Sequence, residues 1–580
     1  MKKQYFLVLV SLVILLASCT KKPELPITIH LVETTDVHGT IFPMGNQQQS
    51  LAHVSYWVDS MRKAVGHEHV VLLDNGDILQ GTPLVYVANF VDTLNTHWTA
   101  KALNEMQYDA AAVGNHDIEA GHPVYDRYNA ETEFPLLAAN ALNSETGEPY
   151  FQPYAIIEKA GLKIAVLGLI TPGVPGWLPE SLYSGITFED MVESAEKWVP
   201  KIMQEEQPDM LVGLFHAGGN AAYGGEEDTY MNENGSILVA KKVPGFDVVF
   251  LGHDHRKWNT VVQNETNGED VLIIGAGSRN KQLGHVAVTF TDSGKIFIPE
   301  IIELENRPAD SAFINKFSAE KLLAENFINE PIGRLTEPMS SENSFWEPTA
   351  FIDLIHKVQL DETDADISIT APLSYRTLLP ADTLFRNDLF DLYRYENYIN
   401  GLKMYGNELD AYLEYSYAGW FQPMESANDN ALKFALDEEG NLIYSDRYET
   451  YQLANRYYNF DAAAGIRYTV DLTEENGQRV EIHQLSDGRN FHPDTLYTVA
   501  VNSYRASGGG GHFEKGAGLS PQQVKDRTYY SSKRDLRHYL AIYLQEHSPY
   551  TPQVISTWKV LPEHWLQQAK QKDKKMLFGD

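Results

Sequence analysis

The chain has 580 residues, too many for one hydrophobic core, and sets 46 lysines and arginines against 79 acidic residues for a formal net charge of −33. That charge repels a polyanion and excludes a nucleic-acid polymer as an expected partner, but not a small nucleotide, whose charge bound divalent cations can offset. With 43% hydrophobic residues, 32 tyrosines and 24 phenylalanines, the composition is that of a globular protein, not a disordered one.

The chain opens with a targeting pattern. Lys2 and Lys3 precede a short apolar run over residues 6–16, and Leu16-Ala17-Ser18-Cys19 follows. The run is too short to span a bilayer and reads as a signal peptide over 1–19. Its end is similar to a bacterial lipobox, in which the cysteine becomes the lipidated first residue. Cys19 is the only cysteine in the chain, so no disulfide is available. The expectation is a membrane anchor through lipid at Cys19. The protein would then sit in a bacterial cell envelope, facing the periplasm or the exterior, with a tether over 20–26.

Over residues 27–305 strand and helix patterns alternate, as in a layered α/β domain. Five apolar runs, at 27–32, 70–73, 110–113, 211–215 and 248–251, lead into five polar signatures. These are Asp36-Val37-His38, Gly76-Asp77, Gly114-Asn115-His116-Asp117, His216 and Gly252-His253-Asp254-His255. In an open α/β sheet, ligands bind at the carboxyl ends of strands. The five ends are therefore expected to converge on one crevice. The converging set is Asp, Asn and His without sulfur, which suits two divalent ions. A strand-end Asp or His taken alone is more often a turn former or a helix cap. The ordered set of five outweighs that reading.

Apolar residues at helical spacing over 310–324 predict one linker helix within 306–331. A second unit follows over 332–563. It has helical patterns at 351–359 and 407–417 and strands at 367–370, 402–405, 466–472 and 496–501. Residues 564–580, with a basic stretch at 570–575, read as a polar tail that frays.

Together the five signatures resemble the motif series of the calcineurin-like metallophosphoesterases. The second unit is similar to the C-terminal domain of the secreted 5′-nucleotidase / 2′,3′-cyclic-nucleotide 2′-phosphodiesterase family. The resemblance implies a four-layer-type α/β metallophosphoesterase sandwich followed by a smaller α/β (α+β) substrate-binding domain. It implies one metal ion on Asp36, His38, Asp77 and His255, and another on Asp77, Asn115, His216 and His253. Asp77 is then the shared carboxylate. Two such ions, Zn, Mn, Fe or Co by donor type, activate a water for in-line attack on phosphorus. His116 becomes the residue that stabilises the transition state and assists the leaving group. Glu119 would hold its tautomer, where the 5′-nucleotidase pattern has an aspartate. Asp117 competes for that role, with a helix cap as its alternative use.

For substrate, Phe460 and Tyr504 stand where that family sandwiches the nucleobase, and stacking on a base is worth roughly 1–3 kcal/mol. Arg376 and Asn397 are the expected polar contacts to the nucleotide. Residues 393–397 and 503–509 look more like the cyclic phosphodiesterase / 3′-nucleotidase branch. Gly510 stands where the 5′-nucleotidase branch commonly has an aspartate on the ribose. The expected function is metal-dependent hydrolysis of nucleotide phosphate esters, foremost as a 2′,3′-cyclic-nucleotide 2′-phosphodiesterase / 3′-nucleotidase. A 5′-nucleotidase or UDP-sugar hydrolase is the alternative on the same scaffold. A surface lipoprotein that binds a ligand without catalysis is the alternative outside it.

Overall fold

The first strand shows how the layers form. In β1 (Ile27–Thr34), Ile29 and Leu31 enter one core and Val32 another, the two-residue alternation of a strand covered on both faces. In β2 (Val70–Asp74), Val71 and Leu73 join the core of Ile29, while Val70 and Leu72 join that of Val32. The computed structural model describes residues 24–45, 48–222, 230–437, 439–445 and 450–579. The expected signal peptide, Cys19 and the start of the tether lie outside the described residues.

β1, β2 and β3 (Ala110–Ala112) run parallel in one six-stranded sheet, completed by Leu136–Leu137 on one side and by Gln282–Thr291 and Gly294–Glu303 on the other. A second six-stranded sheet holds β4 (Met210–His216) and, parallel beside it, β5 (Val248–Leu251). Val212, Leu214, Val248 and Phe250 of this sheet pack against Ile29, Leu31, Val71 and Leu73 of the first. Helices Leu51–Val65 and Trp98–Met106 cover the outer face of the first sheet, and Met191–Glu205 and Ser236–Lys242 that of the second. The result is a four-layer sandwich of helix, sheet, sheet and helix. The five site strands therefore do not share one sheet, as expected from a single crevice. They split three and two, and their polar ends meet across the edge of the sandwich.

The expected linker helix is two helices, Ser311–Lys316 and Ser318–Ile328, broken at Phe317. The Phe317 ring is buried in the core of the first domain, so the break fixes the linker to that domain. The second domain is built on a five-stranded sheet ordered Ala462–Ala464, Ile367–Thr370, Leu496–Asn502, Tyr398–Tyr405 and Thr528–Asp535. Helix Gly406–Trp420 lays Leu409, Tyr412, Leu413 and Tyr417 on one face of it.

The end of the chain corrects the expectation of a fraying tail. Residues Glu563–Phe578 form a helix whose Leu566, Ala569 and Leu577 are buried. The buried Asp573 carboxylate accepts the Ala431 and Leu432 N–H groups at 3.1 and 2.9 Å. Lys570 and Lys574 pair with Glu347 and Glu342, each at 2.7 Å. The basic residues that suggest a tail thus belong to a docked amphipathic helix, with Lys570 itself buried against Glu347.

Candidate metal centre and active-site cleft

The strand-end loops are pinned to one another by their backbones. The Asp36 N–H donates to the Gly76 carbonyl at 3.0 Å and the His38 N–H to the Asp77 carbonyl at 2.8 Å. Asp36, His38, Asp77, His253 and His255 all have φ between 48° and 73°. For non-glycine residues this region costs of order 1–3 kcal/mol each and persists only where the surroundings impose it. Gly114 shows the imposed closeness. A Cβ there would lie 2.2 Å from Asp77 Oδ1, so only glycine lets the third loop reach Asp77.

Two clusters result. Ligand atoms of Asp36, His38, Asp77 and His255 lie within 4.8 Å of one another, as do those of Asp77, His216 and His253. Asp77 belongs to both. Asn115 joins the second, with its Oδ1 2.9 Å from His253 Nδ1. The structure thus brings all seven expected ligands together at one edge of the sandwich.

The histidines are set up by hydrogen bonds from their other ring nitrogens. His216 Nδ1 lies 2.6 Å from the Asn75 carbonyl and His38 Nδ1 3.2 Å from the Gln80 carbonyl, so both donate there and leave Nε2 as a lone pair. His216 Nε2 is buried, makes no hydrogen bond, and faces Asp77 Oδ2 at 3.2 Å. An unprotonated nitrogen facing a carboxylate oxygen is repulsive until a cation lies between them. In the first cluster His38 Nε2 and Asp36 Oδ1 converge on His255 Nε2 at 2.9 and 3.2 Å. The donor set fits two divalent ions.

His116 points past these clusters. Its Nδ1 hydrogen-bonds the Glu119 carboxylate, and its ring stands edge-on to His38, centroids 5.4 Å apart. Burial lowers the His116 pKa, but the Asp77 and Glu119 carboxylates outweigh it and raise it to about 9. Asp117 is not the orienting partner. Its carboxylate accepts the N–H groups of Gly114, Asp77, Ile78 and Leu79 at 2.8–3.0 Å and holds the two loops together.

Sequence reasoning missed two residues around His253. Glu233 Oε1 lies 3.0 Å from His253 Nε2, which turns Nδ1 towards Asn115, and Trp177 stacks on the ring at 5.4 Å. Neither follows a strand, so neither carries a positional signal. Asn75 was missed too. Its amide donates to Glu33 Oε1 and to the Phe215 carbonyl, each at 3.2 Å, tying the β1 and β4 ends together.

The second domain supplies the opposite wall. Its glycine-rich loop lies against the first domain, Gly508 facing the Gly176 carbonyl beside Trp177. Tyr504, half-buried, opens that loop, and Tyr458 stands 6.4 Å away at 85°. A buried ion pair fixes both. Arg505 donates twice to Asp461, at 2.7 and 3.1 Å, and also to the Tyr458 and Gly509 carbonyls at 2.6 and 3.0 Å.

Three substrate expectations need correction. Phe460 is fully buried and stacks on Trp420 at 5.0 Å and 11°, because the short turn Tyr457–Asn459 sends it inward and leaves Tyr458 outward. Arg376 lies over the Phe578 ring at 5.3 Å and 3.8 Å from Glu342, so it serves the docking of the terminal helix. Asn397 is buried, and its amide donates to the Tyr393 hydroxyl at 3.1 Å.

Residues 29–257 match the calcineurin-like phosphoesterase family model, and 331–516 match the 5′-nucleotidase C-terminal domain model. Among curated proteins, the chain is 25% identical to a 2′,3′-cyclic-nucleotide 2′-phosphodiesterase/3′-nucleotidase of Yersinia enterocolitica, over 92% of this chain and 88% of that protein. It is 26% identical to the protein of the same name from Salmonella typhimurium, over 93% and 89%. A Staphylococcus aureus structure superposes with a TM-score of 0.75 at 19% identity, covering 92% of this chain and 99% of that one. A 5′-nucleotidase precursor from Thermus thermophilus gives 0.63 at 20%, covering 93% and 100%. At these identities the structures establish the fold.

If Asp77 serves both ions, its loss costs more than that of a ligand to one. Asp77→Ala should bind neither ion and lose nearly all activity, while His38→Ala retains about one ion per chain. Metal content by atomic emission decides this; two ions still bound to Asp77→Ala would refute the shared role.

Proposed function

We infer the function of this chain from one premise: it belongs to the calcineurin-like phosphoesterases that carry a 5′-nucleotidase C-terminal domain. It is a hydrolase of nucleotide phosphate esters, and we propose that it acts as a 2′,3′-cyclic-nucleotide 2′-phosphodiesterase and 3′-nucleotidase. The observation that carries this reading is the pair of clusters sharing Asp77, with the His116–Glu119 pair beside them and Tyr458 and Tyr504 across the cleft.

Two divalent ions on these clusters would supply the Lewis acidity that activates water and neutralises charge on the phosphoryl oxygens. The protein's own residues do the rest. Glu119 fixes Nδ1 of His116 as its donor, leaving Nε2 to face the ester and protonate the leaving oxygen. Asp117 and Asn75 hold the loops so that little reorganisation accompanies reaction. Tyr458 and Tyr504 orient the nucleoside, so that binding remote from phosphorus positions the ester.

Gly510 favours this branch over a 5′-nucleotidase. Its φ is 72°, and a Cβ there would lie 2.7 Å from both Arg505 Nη1 and Asn459 Oδ1. An aspartate reaching the ribose has no room at that position. Rates on 2′,3′-cyclic AMP, 3′-AMP and 5′-AMP test the reading; a kcat/KM highest on 5′-AMP would overturn it.

We also propose that Cys19 anchors the protein to an envelope membrane, on the sequence pattern at 16–19. No helix among the described residues is long and apolar enough to cross a membrane. Cys19→Ser should shift the protein from the membrane to the soluble fraction or block processing. A processed Cys19→Ser protein that still sediments with membranes would contradict the anchor.

His116→Ala should keep its metal content while kcat falls by about 10²–10⁴, the range for a general acid. Metal loss matching that of His216→Ala would make it a ligand instead.

Tyr458→Ala and Tyr504→Ala should each cost about 1–3 kcal/mol in kcat/KM on nucleotides, and far less on bis(p-nitrophenyl) phosphate, which has no base. Phe460→Ala should instead lower stability by about 3–5 kcal/mol, as core aromatics do. Equal losses on both substrates for the two tyrosines would reduce them to packing residues.

A further inference from the structure

One acid interrupts the apolar strand that leads to the first ligand signature. Glu33 lies in β1, where the alternation that sends Ile29 and Leu31 between the two sheets sends its side chain there too. It is fully buried. Gly284, its partner on the neighbouring strand, leaves the space it fills. A Cβ at 284 would lie 2.7 Å from Glu33 Oε2 and 2.9 Å from Ile274 Cγ2 of the second sheet. The core it enters is built from apolar side chains such as Leu31, Leu73, Leu214 and Ile274. A leucine would suit that place without the cost of burying a carboxyl group. Burial pushes the Glu33 pKa well above the carboxylate range, and its hydrogen bond to Asn75 offsets this only in part.

Among the described residues Glu33 has one side-chain partner. Asn75 Nδ2 donates to its Oε1 at 3.2 Å, while Oε2 makes no hydrogen bond. Asn75 is a junction. Its amide nitrogen also donates to the Phe215 carbonyl at 3.2 Å, so both amide hydrogens are committed. Its backbone N–H donates to the Thr34 carbonyl at 2.7 Å, and its own carbonyl accepts from His216 Nδ1 at 2.6 Å.

A chain of contacts therefore runs from an acid between the sheets to a ring of the second cluster. It passes from Glu33 through Asn75 to His216, whose Nε2 faces Asp77 Oδ2 at 3.2 Å. His216 ends β4 in the second sheet, and Asn75 follows β2 in the first. The aim of the ring thus depends on how firmly Asn75 spans the gap. Without the Glu33 acceptor, one buried amide hydrogen is left unpaired and the amide loses a contact that fixes its rotation.

We propose that Glu33 is a positioning residue for the second metal cluster, acting through Asn75 to aim His216 Nε2 at the ion shared with Asp77. The proposal rests on the two-ion reading of the centre and adds to it a residue that touches neither ion nor substrate.

Calorimetric titration of metal-free protein with Zn²⁺ tests it, with the melting temperature of the metal-free protein measured alongside. Wild-type protein should take up two ions, and His216→Ala identifies the step that belongs to the second cluster. Glu33→Leu should weaken that step by about tenfold to a hundredfold, the usual effect of a partner behind a ligand, and leave the other step unchanged. Its melting temperature should equal or exceed that of wild type, because an apolar side chain replaces a buried polar one. Glu33→Gln keeps an oxygen for Asn75 and should restore most of the affinity. Asn75→Ala should weaken the same step, and adding Glu33→Leu to it should cost nothing more. Unchanged zinc binding by Glu33→Leu overturns the proposal, as does a melting temperature that falls together with both steps. So does a Glu33→Gln protein as impaired as Glu33→Leu, or losses that add in the double variant. If Glu33→Leu fails to fold, Glu33→Gln and Asn75→Ala still decide: zinc binding lost in the first or intact in the second overturns the role. Wild-type protein that takes up one ion refutes the two-ion centre itself, and the proposal with it.

Discussion

One carboxylate has to stand where two sheets end, and the rest of the first domain is arranged around it. Asp77 ends the loop after β2, in the first sheet, yet it must reach His216 of the second sheet on one side and His38 of its own on the other. A carboxylate that faces both ways has no side chain left to stabilise its own loop. Asp117 performs that task by accepting the N–H groups of Asp77, Ile78 and Leu79. The left-handed backbone at five ligand positions follows from the same demand. Short loops must turn back sharply to aim successive side chains at one point, and Asp and His tolerate that region better than branched residues.

Much of this centre was legible in the sequence because its chemistry sits at fixed offsets from apolar strands. β1 to β5 are read from runs of Val, Ile, Leu and Ala, and the polar residue past each run is then the ligand or its neighbour. The sheet to which each strand belongs is not readable that way. Strands buried on both faces give the same apolar run in either sheet, so the split of three and two appears only in the pairing. Glu233, Trp177 and Asn75 act through contacts between segments far apart in sequence, and no local pattern marks them.

The substrate wall was less legible, for a different reason. Tyr457, Tyr458 and Phe460 are three aromatics within four residues, and which of them faces the cleft depends on the turn between them. That turn is set from outside by Arg505, which binds the Tyr458 carbonyl and the Asp461 carboxylate together. The Asp461–Arg505 pair is fully buried, and a buried pair is costly to break from either side. Its use here is geometric: it ties the Tyr458 turn to the glycine loop after Tyr504, so the two rings keep their relation.

The acidic surface and the cation-rich cleft are parts of one arrangement. A chain of net charge −33 repels its own substrate at long range, and at physiological salt that repulsion is screened within about 8 Å. Beyond the mouth of the cleft, what the nucleotide meets is local. On one side stand His116 with its raised pKa and the histidine and carboxylate clusters that suit dications. On the other stand Tyr458 and Tyr504 of the second domain, their rings 6.4 Å apart. Arg537 illustrates the economy of placement, lying 5.1 Å from the Tyr86 ring and 3.0 Å from Glu396 where the two domains meet. Because acids neutralise it, Arg537 serves the interface between domains.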